Sequence, residues 1–214
     1  MKSLLSSLGL VLLLGFSIGL QPALAVDLKA EPQNLVQQVS DEIFTELDAR
    51  RDYYEDDRDA LEGLVRSKFI PMIDSIYASR LILGREGRKL EKPQIKDFAD
   101  ALSELLVRRY AEGILEFRSR DQLSVLPLVG NNTDKATRVR TKVVLTNGQE
   151  APVDYVFRKT PVGWRVFDVV IEGISYVTTY RNQFGEEIRR DGFDSVLNRI
   201  RSGDVDTDFS KNES

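Results

Sequence analysis

At 214 residues, 42% hydrophobic and 30% charged, the chain has the size of one ordinary globular domain with a sizeable core. Its 34 acidic and 30 basic residues give a net charge of −4 with no basic stripe, which excludes a surface built for nucleic acid. With no cysteine and no histidine, disulfides, thiol nucleophiles, Ser-His-Asp triads and His/Cys metal sites are excluded together.

The first segment reads as an export signal. Lys2 supplies the positive start, Leu4 to Leu20 is uncharged and apolar or small, and Ala23-Leu24-Ala25 is a small-x-small cleavage site. Residues 1–25 are therefore expected to be removed, leaving a soluble exported protein. No cysteine follows the apolar run to take a lipid.

Three amphipathic helices and a short one come next. Leu35, Val36, Val39, Ile43, Phe44 and Leu47 recur at helical spacing up to Arg50, and an acidic segment from Arg51 to Asp59 reads as a solvated helix end or loop. Leu61, Leu64, Val65, Phe69 and Ile70 predict a second helix, stopped by Pro71. Asp74 is placed to cap a short helix over Ser75 to Leu83, with Gly84 as its stop. From Pro93 onward, Ile95, Phe98, Leu102, Leu105, Leu106, Tyr110 and Ile114 line one face of a long helix.

After Phe117 the pattern changes to alternation. Leu123 and Val125 mark a first strand, and Val139, Thr141, Val143 and Leu145 alternate with basic residues in a second. Asn147-Gly148 predicts a type I′ hairpin turn into a strand carrying Val153, Tyr155 and Phe157. Pro161-Val162-Gly163 turns the chain into a strand from Trp164 to Ile171. Strict alternation places Trp164, Val166 and Val170 on one of its faces and Phe167, Val169 and Ile171 on the other, so it reads as a central strand covered on both sides. Glu172-Gly173 turns it into a helix whose Tyr176, Tyr180 and Phe184 are four apart. Phe193, Val196, Leu197 and Ile200 predict a last helix, and 202–214 reads as a disordered polar tail. Helices, an antiparallel meander and further helices make an α+β domain over 26–201, with helices packed on one face of the sheet.

Asp168 is the one carboxylate within the Trp164 to Ile171 strand. Burial requires it to be paired, with Arg165, Arg181 or backbone N–H groups, and Glu172 and Arg181 read as residues fixing the strand-to-helix corner. An alternative is an isomerase-type pocket with Asp168 as base and Tyr155 as hydrogen-bond donor. A second alternative is a non-catalytic accessory module that binds only protein.

One run of residues goes further. Gly163-Trp164-Arg165-Val166-Phe167-Asp168-Val169, Ile171-Glu172-Gly173-Ile174-Ser175, Tyr180-Arg181 and Gln183-Phe184 together resemble the signature of the MlaC, or toluene-tolerance, family. Pro71-Met72-Ile73-Asp74, Leu83-Gly84-Arg85, Leu105-Leu106, Tyr110-Ala111, Pro152-Val153 and Gly192-Phe193-Asp194-Ser195-Val196 extend the resemblance in family order. Ile73 stands where the family usually has an aromatic residue, and Glu86-Gly87-Arg88 stands where Trp-Arg often follows.

The resemblance implies a curved antiparallel sheet of the nuclear-transport-factor-like or cystatin-like kind, with an apolar pocket between helices and sheet. It implies a non-enzymatic periplasmic phospholipid carrier with no cofactor beyond its cargo. The implied partners are phospholipid, an outer-membrane lipoprotein complex and the lipid-binding subunit of an inner-membrane ABC transporter, with the carrier a monomer. On this reading Val139, Val143, Tyr155, Phe157, Phe167, Val169 and Ile171 form the sheet wall of the lipid pocket. Phe69, Ile73, Tyr110, Tyr176 and Tyr180 form its helix wall.

Overall fold

A computed structural model of the protein describes residues 26–205; the expected signal segment and the tail from 206 lie outside them. Helix α1 spans Pro32–Asp56 and does not stop at Arg50. It kinks there, with Arg50 at φ −144° and ψ 32°, and continues through the acidic segment. Contacts near and far in sequence carry it on: the Arg50 guanidinium sits 4.4 Å from the Tyr53 ring centre, Tyr54 is buried, and Arg51 donates to the distant carbonyls of Leu115 and Phe117 at 3.1 and 2.8 Å. Asp57 then caps α2 (Arg58–Phe69), accepting from the Ala60 amide. The Lys68–Glu42 ion pair, 2.8 Å and largely shielded from solvent, ties α2 to α1.

Pro71 falls within a single 3-10 turn, Ile70–Met72. Helix α3 spans Ser75–Leu83, as its cap and stop residues predict. Asp74 holds three connections at this point. Its carboxylate accepts from the Tyr77 amide at 3.2 Å and pairs with Arg158, and its own amide donates to the Val166 carbonyl at 2.7 Å. One residue thus starts α3 and fastens it to the sheet. A 3-10 turn (Glu86–Lys89) leads to α4 (Lys92–Tyr110), where Glu91 and Gln94 cap each other reciprocally.

Strands β1 (Leu123–Val125), β2 (Thr137–Val144), β3 (Glu150–Thr160), β4 (Gly163–Ile171) and β5 (Ile174–Ser175) form an antiparallel meander in chain order. Cross-strand register aligns Val139, Tyr155 and Val169 in one row and Thr137, Phe157 and Val166 in the next, all directed towards the helices. The outer face carries cross-strand ion pairs, Arg138–Asp154 and Lys142–Glu150, both at 2.8 Å.

Four sequence expectations for the sheet are corrected. Leu145 is not an inward strand residue; it lies past the end of β2 and is exposed. Of Asn147 and Gly148, only Gly148 has positive φ (81°), and the Gly148 amide closes a turn on the Leu145 carbonyl. That is a three-residue hairpin loop in which glycine takes the left-handed position, rather than a type I′ turn. The two consecutive positive φ values of a type I′ turn occur instead at Glu172 (51°) and Gly173 (87°), linking β4 to β5.

The third correction is a β-bulge. Val156 pairs with Asp168, but the next residue, Phe157, pairs with Val166. Phe167 is the unpaired extra residue. Beyond it the alternation is reset, so Val166 and Val169 face the same side rather than opposite sides. Fourthly, β4 is not central, because β3 occupies the middle of the sheet. The outer edge of β4 is closed by β5, by the Asp74 amide on Val166, and by Leu28, whose carbonyl accepts from the Trp164 amide at 2.7 Å. Gly163 (φ 129°) makes this last contact feasible: a Cβ there would lie 2.0 Å from the Leu28 oxygen.

Helices α5 (Tyr176–Asp191) and α6 (Phe193–Ser202) complete the fold. The packed body runs past Arg201: Gly203 ends α6 in the left-handed conformation and Val205 is buried. The apolar side chains form two clusters. One joins α1 and α2 to the sheet through Leu35, Val39, Leu47, Leu61, Val139, Phe157 and Trp164. The other joins α3 to α6 through Leu83, Phe98, Leu105, Phe184, Val196 and Ile200. Among the described residues no helix is long and apolar enough to cross a membrane.

Candidate functional site

A cavity of about 340 Å³ lies at the seam between the two clusters. Its floor is the inward face of β3 and β4, through Tyr155, Val166, Phe167 and Val169. Its walls are Phe69, Ile70, Met72 and Ile73 on one side and Ala78, Ile82, Leu102, Leu106 and Val177 on the other. Tyr110 lines it and is also 41% exposed, so the cavity reaches the surface at the end of α4.

From that opening an aromatic series runs inward. Tyr110 and Tyr176 have ring centres 6.4 Å apart, Tyr176 and Tyr180 6.2 Å, and Tyr180 stacks on Phe184 at 5.4 Å. The spacing of four along α5 produces this series. Burial, with Tyr110 and Tyr176 adjacent, raises the Tyr180 phenol well above its usual range. Phe167, displaced by the bulge, meets the Tyr77 ring edge-on at 5.3 Å.

Of the residues the sequence places in the pocket, Phe69, Ile73, Tyr110, Tyr155, Phe167, Val169, Tyr176 and Tyr180 line this cavity. Val139, Val143, Phe157 and Ile171 do not. Val139 and Phe157 are sealed in the first cluster, Val143 is buried beyond it, and Ile171 pairs with Val153 and Ile174 near the sheet corner. Met72, Ser79, Leu102 and Val166 line the cavity without having been singled out. The helical stripe of α4 already carried the signal for Leu102. Val166 was hidden by the bulge.

Asp168 borders the cavity, but both of its oxygens are engaged. One accepts from the Ser175 hydroxyl at 2.6 Å and the other from the Val177 amide at 3.0 Å. Ser175 in turn accepts from the Thr178 amide at 3.0 Å, so the pair caps the N-terminus of α5. Its partners are the hydroxyl and backbone N–H of the helix start, not an arginine. Asp168 and Tyr155 belong to adjacent register rows, which alternate in direction. Among the described residues no hydrogen bond joins them. Arg181 does not fix the corner either; its Nε donates to the Leu81 carbonyl at 2.5 Å, tying α5 to the end of α3.

A second, larger depression of about 780 Å³ lies over the end of α3 and the face of α5. Arg80, Arg85, Arg88, Arg181 and Arg189 surround it with Glu86 and Glu186. It is a charged surface groove, without the continuous apolar lining of the seam cavity. No cluster of acidic, histidine or cysteine side chains suited to a metal ion occurs among the described residues.

A helix-covered antiparallel sheet enclosing an apolar chamber, with the one bordering carboxylate used to cap a helix, defines a binding protein for an apolar molecule. The sequence model of the MlaC protein family matches residues 37–202, and the chain belongs to that family. It is 27% identical to the toluene tolerance protein ttg2D of Pseudomonas putida over 164 residues, 76% of this chain and 75% of that one. It is 24% identical over 179 residues to the intermembrane phospholipid transport system binding protein MlaC of Haemophilus influenzae, covering 81% of this chain and 82% of that one. The fold matches the phospholipid-binding protein of Ralstonia solanacearum, solved in complex with a phospholipid, with a TM-score of 0.72 and 25% identity over 81% of this chain and 97% of that one.

Proposed function

We propose that the protein is a periplasmic phospholipid carrier. The seam cavity, apolar on floor and walls and reaching the surface at Tyr110, carries this reading. It is supported by a neighbour of the same fold that holds a phospholipid. On this reading the acyl chains enter between the clusters and the head group stays in water outside Tyr110. Phe69, Ile73, Tyr110, Tyr155, Phe167, Val169, Tyr176 and Tyr180 contact the chains.

The physical need is clear. Two acyl chains carry roughly thirty methylenes, each disfavoured in water by about 0.8 kcal/mol. Free diffusion across an aqueous gap is prohibitive, and an apolar chamber makes the exchange nearly neutral. The cavity is smaller than a two-chain lipid. It lies between two packed clusters rather than within one, so on this reading a lipid is admitted by their separating while each stays intact. The signal segment at residues 1–25 would deliver the chain to the periplasm. There it would shuttle lipid between an outer-membrane lipoprotein complex and the lipid-binding subunit of an inner-membrane ABC transporter, maintaining outer-membrane lipid asymmetry.

Native mass spectrometry and solvent extraction of the purified protein test the proposal. Co-purifying phospholipid, or uptake from phospholipid vesicles after delipidation, is expected. A protein that arrives empty and refuses lipid from vesicles would overturn it.

A further inference from the structure

Seven hydroxyl-bearing residues line the seam cavity: Ser75, Ser79, Ser103, Tyr110, Tyr155, Tyr176 and Tyr180. Tyr110, Tyr176 and Tyr180 lie against one another in the aromatic series. A serine on a helix can return its hydrogen bond to the carbonyl one turn back. A tyrosine cannot, because its hydroxyl sits at the end of a rigid ring far from its own backbone.

Tyr155 is on β3, the middle strand, between Val139 and Val169 in the row that faces the helices. Val139 is sealed, whereas Tyr155 and Val169 border the cavity. Among the described residues no side chain or backbone group hydrogen-bonds the Tyr155 hydroxyl. Burial alone pushes its pKa up to about 12, so at neutral pH it is a donor. A phenylalanine would supply the same hydrocarbon surface without a hydroxyl to satisfy. A cargo of hydrocarbon alone would leave that donor unmet in a medium where an unmet donor is strongly disfavoured.

We propose that the Tyr155 hydroxyl donates a hydrogen bond to an acyl ester carbonyl of the bound glycerophospholipid. This rests on the carrier reading above. With the head group outside, the ester carbonyls are the acceptors that lie where the polar glycerol meets the chains. The bond gives an otherwise greasy cavity a fixed point along the lipid, and with it a preference for ester-linked over ether-linked lipids.

The test compares two phosphatidylglycerols of equal chain length, one diester and one diether, offered in vesicles to delipidated protein. The wild-type protein is expected to hold the diester form roughly three- to tenfold more tightly, the range of one net hydrogen bond. Tyr155→Phe should remove that preference by weakening the diester form alone. The infrared band of carbonyl-labelled diester lipid should lie at lower frequency in the wild-type complex than in the Tyr155→Phe complex. The comparison of lipids on the wild-type protein needs no variant to fold. Equal binding of both lipids by the wild-type protein, or a preference that survives Tyr155→Phe, would overturn the anchor and leave the carrier reading standing. Binding of neither lipid would overturn both.

Discussion

Two parts of one sheet face have the same kind of residue and opposite fates. Val139, Phe157 and Trp164 are packed solid against α1 and α2. Tyr155, Val166 and Val169, their register neighbours, border open space beneath α3, α4 and α5. The strands supply an apolar, β-branched and aromatic surface throughout. The covering helices decide the outcome: α1 lies across the β1 and β2 side, and the second helical group packs mainly on itself. A pocket in this fold is a place where two complete cores meet imperfectly.

The largest effect should come from emptying the solid part. Phe157→Ala removes a fully buried ring and should destabilise the protein by about 3–5 kcal/mol. Chemical denaturation would show this as a lower midpoint, with any lipid loss explained by unfolding. A change much under 2 kcal/mol would mean that this part is as open as its neighbour. The next test places the same large side chain in each part. Val143→Trp overpacks a sealed position and should destabilise by about 1–3 kcal/mol. Val169→Trp grows into the cavity, so it should lower lipid occupancy at least severalfold with a melting temperature near that of the parent. If the two variants behave alike in thermal melts and lipid extraction, the division of the sheet face is wrong. The smallest effect concerns the roof of the open part. Asp168→Asn keeps an acceptor for the α5 cap and loses its charge, which should cost about 1 kcal/mol. Lipid binding should persist. Abolished binding in a folded Asp168→Asn protein would give this carboxylate a role beyond the cap.

Much of the architecture was legible from local chemistry. The limits of α3 follow from Asp74 and Gly84, and the inward rows of β2 and β3 follow from simple alternation. What failed depended on partners distant in sequence. The α1 kink at Arg50 continues because Arg51 finds the carbonyls of Leu115 and Phe117, far along the chain. The directions of Val166 and Val169 depend on a register shift against β3. Val139, Val143, Phe157 and Ile171 lie off the cavity for a different reason. A valine facing a void and a valine facing a leucine have the same signature in a sequence, because both are hidden from water. Only the positions of the covering helices distinguish them.

The bulge at Phe167 has one more consequence. The floor of the chamber depends on a fault in the pleat, and a fault is a matter of count rather than composition. Substitutions between Val166 and Val169 alter the texture of the floor. With Phe167 present, regular alternation would turn one half of the floor away from the chamber, so the bulge has to be kept for Val166 and Val169 to face it together. The number of residues in that stretch is therefore information in its own right, because it decides whether the strand must carry a bulge, whatever side chains fill it.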